Sequence, residues 1–165
     1  SLSIVSIKKI ISNSFFTTIS SIGFQEWLPI SDKYVVNHNI KSSYLKESCY
    51  TRLCRGHLEN KIRLSYIGSI RDVEVNIKLI DDLCGSKNVL LEYHGNGIAS
   101  SILQRFVDKK NVRNISITGR YTKEQEEIYY ERSDLINILI SSKGINNKTL
   151  LTNRLYQAVI FGKPI

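Results

Sequence analysis

No methionine occurs anywhere in the 165 residues, position 1 included, and the sequence closes on Lys163-Pro164-Ile165, where a strand is due to begin. Both features lead us to expect a piece of a longer protein, whose function has to be read for the parent. Cysteine is scarce. Cys49, Cys54 and Cys84 are odd in number and lack the CxxC spacing, which argues for reduced thiols in an intracellular protein and against a metal site. No apolar run approaches the roughly 20 residues of a membrane span, and no secretory leader is recognisable, so a soluble chain is expected. Basic blocks are missing too. The net charge of +8 and the pI near 9.4 suit an anionic partner. Beyond Lys8-Lys9 and Lys109-Lys110, however, the charge is dispersed and no aromatic-rich RNA-binding signature interleaves with it, so nucleic acid is not expected.

What is present is enough apolar material for a core, 42% of the chain, at a length that fits one domain or one domain plus a fragment of another. Residues 1–39 read as the remnant of a preceding domain. Ile4, Ile7, Ile10 and Ile11 form a short helical stripe, 16–20 is β-prone, 23–28 can make a short helix closed by Pro29, and 33–36 is a strand candidate. Residues 40–61 read as a polar crossover carrying Lys41, Lys46, Arg52, Arg55, Gly56 and His57. From Ile62 onward strand and helix alternate regularly. Strands are expected at 62–67, 88–93, 112–118 and 135–140. Helices are expected between them and at 152–160, the third opened by the capping box Thr122 with Gln125. The alternation specifies an α/β fold, a Rossmann-like parallel sheet with helices on both faces.

In such a sheet ligands bind beyond the carboxyl ends of the strands. The loops due at that edge are Gly68-Ser69-Ile70-Arg71, His94-Gly95-Asn96-Gly97, Gly119-Arg120-Tyr121, the stretch 141–148, and the tip at Thr152-Asn153. Glycine directly after a strand allows a tight turn and a close backbone approach. Arg71, Arg120, Lys148 and Arg154 gather cationic charge near the same edge. The last helix has Thr152 as its cap and Gly162 with Pro164 as its stop. Leu155, Tyr156, Val159 and Ile160 share one face, with Arg154 and Gln157 on the other, and its amide tip suits an anion. Gly95-Asn96-Gly97 does not open a dinucleotide fingerprint, since position 100 is serine and no acidic residue closes the following strand, so NAD is not expected.

These motifs follow one another as in a known family. Ile67-Gly68-Ser69-Ile70-Arg71, Tyr93-His94-Gly95-Asn96-Gly97, Ile117-Thr118-Gly119-Arg120-Tyr121, Ser133-Asp134 and Asn153-Arg154-Leu155-Tyr156-Gln157-Ala158 before Gly162-Lys163-Pro164 resemble the C-terminal, donor-binding lobe of GT-B glycosyltransferases. The closest look is to the bacterial family-4 type used in capsular and other surface polysaccharide assembly. The resemblance covers 62–165 and, less securely, 1–39 as the end of an acceptor lobe. It implies a nucleotide-sugar donor as substrate, no cofactor or metal, and transfer of a hexosyl-type sugar to a polysaccharide or lipid-linked acceptor hydroxyl. It implies a cytoplasmic protein with peripheral membrane contact, and a fragment inactive by itself. Residue by residue, it places Gly68, Ser69, Gly95 and Gly97 against the donor and Arg71 as the charge that stabilises the departing diphosphate. Arg120 and Tyr121 fall to the base, Thr152 and Asn153 to the diphosphate, and Gln157 to the ribose hydroxyls. The family pattern has glutamate where this chain has Thr149 and Gln157, which points to weaker donor binding, a different donor or lost catalysis. A non-catalytic nucleotide- or saccharide-binding module and a GT-B nucleotide-sugar epimerase are the rival readings; the second needs His94 as a cleft residue.

Overall fold

The computed structural model of the chain describes residues 4–38, 61–141, 143 and 151–165. The expected crossover lies outside them apart from residue 61, as do Cys49, Cys54, His57, Lys148 and Thr149. The chain divides into two compact units, and among the described residues the smaller holds 4–38, 143 and 151 and the larger 61–141 and 152–165.

In the smaller unit, α1 (Ile4–Asn13) forms on the isoleucine stripe and buries Ile11. Strand β1 (Thr17–Ile19) pairs in parallel with β2 (Tyr34–Val36), and a 3-10 turn at Ile22–Glu26 lies between them, started by Ser21 accepting from the Gly23 amide at 3.2 Å. Lys33 donates to the carbonyls of Ser12 at 3.3 Å and Ser14 at 3.0 Å, at the helix end where unpaired carbonyls favour a cation.

The larger unit runs β3 (Ile62–Ile67), α2 (Val73–Leu83), β4 (Val89–His94), α3 (Ser100–Lys110), β5 (Ile115–Gly119), α4 (Lys123–Arg132), β6 (Leu135–Ile136) and α5 (Asn153–Ile160). The sheet is parallel throughout, in the order β5-β4-β3-β6. Successive side chains of a strand point to opposite faces, and Tyr66 and Ile67 at the end of β3 belong accordingly to two separate cores. Tyr66 joins Ile70, Ile80, Leu91, Tyr93 and Leu103 under α2 and α3, while Ile67 joins Tyr130, Ile136 and Ala158 under α4 and α5. Helices therefore cover both faces, as expected. The first strand, β3, is flanked by β4 on one side and by β6 on the other, so the winding reverses there and the crevice of the fold opens beyond its carboxyl end.

Three expectations change in the structure. The third strand starts at Ile115 and not at 112: the carbonyl of the buried Asn114 carries the first bond of the ladder, from the Leu91 amide at 2.9 Å, while its side chain turns to the neighbouring loop, donating to the Leu83 and Val89 carbonyls at 2.9 and 3.1 Å and accepting from the Gly85 amide at 3.1 Å. The fourth strand stops after Ile136, because Asn137 turns the chain by accepting the Leu139 amide at 2.9 Å on its side-chain oxygen. On its outer edge the Ile136 amide donates to the Pro164 carbonyl at 2.9 Å. The last difference is the face of α5. Arg154, Tyr156, Gln157 and Ala158 are buried and Val159 is 72% exposed, so the two polar residues expected outside face inward.

Candidate functional site

Three strand ends and their glycines build the site. Gly68 follows β3 with φ 130°, Gly95 follows β4 with φ 136°, and Gly119 ends β5 with φ 79°, all values that side chains disfavour. The Gly68 amide donates to the His94 carbonyl and the Gly95 amide to the Gly119 carbonyl, both at 2.8 Å, so the strand pairing runs one step beyond the strands. The first two loops are then laced together, with the Ile70 amide on the Asn96 carbonyl at 3.4 Å and the Ala99 amide on the Ile70 carbonyl at 3.2 Å. Their backbones meet so closely that a Cβ at Gly95 would stand 2.0 Å from the Gly68 oxygen, and one at Gly97 2.1 Å from the Ile70 oxygen. Those glycines serve loop-to-loop contact. At Gly68 an added Cβ meets nothing within 4 Å.

The loops enclose an open cleft of about 390 Å³ lined by Gly68, Ser69, Gly95, Asn96, Gly97, Arg120 and Tyr121. Six residues expected on separate loops are thus brought to one place, and Asn96 joins them; its side-chain oxygen accepts the Gly97 amide at 2.9 Å. Arg71 stands beside the cleft and not in its lining. It is exposed, with Nε 3.5 Å from the Ser69 hydroxyl. Thr152, Asn153 and Gln157 also lie outside the lining. The Thr152 hydroxyl is engaged as the cap of α5, accepting the Leu155 amide at 3.3 Å, and Asn153 is exposed. Gln157 is 5% exposed and its Oε1 meets no hydrogen-bond donor among the described residues.

Charge and aromatic rings surround the cleft from below. Arg154 is 8% exposed, its guanidinium carbon lies 3.6 Å over the Tyr66 ring, and no carboxylate pairs with it among the described residues. The Tyr66 hydroxyl in turn donates to the Ser69 carbonyl at 2.8 Å. A guanidinium removed from water without a counter-ion is costly even with a ring face to rest on, and an anion nearby offsets that cost. Tyr121 stands edge-on to Tyr129, and burial, then the Glu126 charge, push its hydroxyl up to about 12, which keeps it a hydrogen-bond donor. His94 is stacked flat on Tyr129 with centroids 3.7 Å apart. Its Nδ1 lies 3.1 Å from the Thr118 hydroxyl and its Nε2 3.6 Å from Glu92. Both ring nitrogens are thereby occupied, which makes His94 a buttress under its loop. Among the described residues no group of three or more His, Cys, Asp or Glu side chains is placed to hold a metal ion.

Nothing in the sequence pattern pointed to Tyr66, Tyr93 and Asn76 beneath the cleft on one sheet face, or to Tyr129 on the other. The polar members are scattered through apolar stripes, and only their tertiary contacts relate them to the cleft.

A parallel sheet of this order, with its helices on both faces and its ligand loops at the carboxyl edge, is the Rossmann-like lobe seen in GT-B glycosyltransferases. Particular solved structures share it. The lipopolysaccharide outer core galactosyltransferase WaaB in its apo form matches with a TM-score of 0.63 at 16% identity, over 93% of this chain and 43% of its own. HepE of Anabaena in complex with UDP matches with a TM-score of 0.67 at 15% identity, over 97% of this chain and 46% of its own. WaaG, a glycosyltransferase involved in lipopolysaccharide biosynthesis, matches with a TM-score of 0.55 at 17% identity, over 89% of this chain and 42% of its own. The chain spans less than half the length of each of these structures. No protein-family model and no curated protein matches it.

Proposed function

We propose that this chain is the donor-binding part of a glycosyltransferase: its cleft holds a nucleoside diphosphate sugar, and the complete protein transfers the sugar to an acceptor hydroxyl. The observation that carries this reading is the three-loop cleft itself, in which glycine backbone, the Arg120 side chain and a tyrosine converge at the carboxyl edge of a GT-B-type sheet, with Arg71 beside it. The fold neighbours WaaB and WaaG are described as glycosyltransferases and HepE as a complex with UDP, which supports it. The buried Arg154 next to the first loop, paired with no carboxylate among the described residues, supports an anionic ligand.

In this reading Gly68 and Ser69 lie against the phosphates, and the exposed Arg71 beside them meets the charge that grows on the leaving diphosphate. Arg120 and Tyr121 face the base. The tip of α5 at Thr152 and Asn153 adds its dipole, and Gln157 offers its Oε1, which meets no donor among the described residues, to a ribose hydroxyl. The acceptor oxygen forms a bond to the anomeric carbon as the bond from that carbon to the phosphate oxygen breaks. The electron pair leaves with the diphosphate, and the acceptor proton ends on one of its oxygens. The nucleotide sugar is the substrate and no cofactor takes part. A hexosyl-type donor, a polysaccharide or lipid-linked acceptor in surface polysaccharide assembly, and contact with the inner face of a membrane complete the proposal. No helix among the described residues is long and apolar enough to cross a membrane.

His94 weighs against an epimerase, because both its nitrogens are engaged away from the cleft. The neutral Gln157 favours a second reading, a module that binds nucleotide without turnover. The reading is tested by thermal unfolding with UDP, GDP, ADP and their sugars. A ligand present at a hundredfold excess over its Kd stabilises by about 2.7 kcal/mol, a rise of roughly 5–10 °C for a chain of this size. We expect at least one nucleoside diphosphate to produce it. A melting midpoint that none of them moves contradicts a donor site.

A further inference from the structure

The first cleft loop ends on a feature that the donor reading leaves unexplained. Asp72 is held at φ 53° and ψ 66°, the left-handed region, although it is not glycine and its carboxylate makes no capping bond to α2. Such a conformation persists where the surroundings impose it. The group that imposes it is Asn76, 1% exposed on the first turns of α2. Its Nδ2 donates to the Arg71 carbonyl at 2.7 Å and to the Asp72 carbonyl at 3.0 Å, and its Oδ1 accepts from the Tyr93 hydroxyl at 3.1 Å. Carbonyls only accept, so the amide has one workable orientation, with nitrogen toward the loop and oxygen toward Tyr93. Tyr93 is fully buried, and burial drives its ionisation far above neutral pH, so its hydroxyl remains the donor this arrangement needs.

The consequence for the loop follows from the planarity of the peptide. Where a carbonyl is pulled inward, the next amide points outward. Asn76 draws in the Arg71 carbonyl, Tyr66 draws in the Ser69 carbonyl at 2.8 Å, and the Ala99 amide holds the Ile70 carbonyl at 3.2 Å. Three successive carbonyls are thus pinned to the protein interior. The amides of Arg71 and Asp72 donate no hydrogen bond among the described residues. The Arg71 side chain leaves from the middle of this pinned stretch.

We propose that Asn76, oriented by Tyr93, is a positioning residue that fixes loop 68–72 and, through it, the phosphate side of the cleft. The part that concerns phosphate rests on the donor reading; the part that concerns the loop stands without it. Asn76 touches no ligand. Its effect falls on the diphosphate and spares the nucleoside, since Arg120 and Tyr121 belong to a different loop.

The test uses Asn76→Ala and the gentler Tyr93→Phe, which removes one hydroxyl and keeps the packing. In the absence of ligand, amide hydrogen exchange at residues 69–73 accelerates in both variants, while residues 95–97 keep their protection. With ligand, affinity for the best nucleoside diphosphate falls roughly tenfold in Asn76→Ala and about threefold in Tyr93→Phe, and affinity for the matching nucleoside stays within about twofold. Unchanged exchange at 69–73 in both folded variants overturns the proposal. So does an equal loss for nucleoside and diphosphate, the mark of a general loosening. A wild-type chain that binds no nucleotide refutes the donor reading instead, and the exchange data still decide whether Asn76 fixes the loop.

Discussion

Gly68 and Gly95 follow equivalent strands with nearly equal φ, yet they do different work. At Gly95 the missing side chain makes room for the Gly68 backbone, whereas at Gly68 it leaves the cleft wall bare. Substituting alanine separates the two roles. Gly68→Ala carries only the backbone strain of a positive φ, about 1–3 kcal/mol, and places a methyl on the cleft. Gly95→Ala carries the same strain and adds roughly 1–3 kcal/mol of overpacking against the Gly68 carbonyl. In urea unfolding Gly95→Ala is therefore expected to lose clearly more stability, while Gly68→Ala keeps the fold and loses nucleotide binding. Equal losses of stability contradict the loop-to-loop contact. Both glycines were legible in the sequence as residues ending strands. Which of them faces a ligand was not, because that depends on a backbone 27 residues away in the chain. Arg154 and Gln157 failed for another reason: hydrophobic periodicity assigns polar residues to the outside, and here the aromatic face of Tyr66 gives the guanidinium an inner seat.

Among the elements, β4 and α4 are joined at the cleft by the stack of His94 on Tyr129, with Glu92 beside it. The close approach of His94, more than the nearby positive charges of Arg63 and Arg132, holds the Glu92 carboxyl below the usual range against the opposing effect of its burial. A carboxylate whose pKa is lowered by folding stabilises the folded state above its unfolded value and loses that contribution as the pH falls through its folded value. The stability difference between the wild type and Glu92→Gln is expected to be constant near neutrality and to shrink as the pH falls below about 4.5. A difference that stays constant down to about pH 3 contradicts the role of this pair. Element existence was legible throughout the larger unit, because its strands and helices have strong and different periods. The ends of β5 and β6 were not. Asn114 and Asn137 look like polar residues inside apolar runs; one stands just before β5 and the other just after β6, and each binds backbone with its side chain.

At the scale of the molecule, the chain carries three cleft-lining loops on one sheet, and its fold neighbours are more than twice its length. The described loops bring Arg71, Arg120 and backbone amides to the cleft edge, and His94 is engaged on both nitrogens. We expect this chain alone to bind a nucleoside diphosphate and to transfer no sugar in an assay with radiolabelled nucleotide sugar and a saccharide acceptor; transfer by the isolated chain contradicts the division into donor and acceptor parts. The fold class could be read from alternation alone, but the binding of a donor depends on whether one cleft collects the separate loops. That is most directly measured by titrating a nucleoside diphosphate into the isotope-labelled chain and following each amide by NMR. The cleft reading predicts saturable shifts concentrated at Gly68, Ser69, Gly95, Asn96, Gly97, Arg120 and Tyr121, with little change in residues 4–38. Saturable shifts that spare these residues, or none at millimolar nucleotide, contradict it.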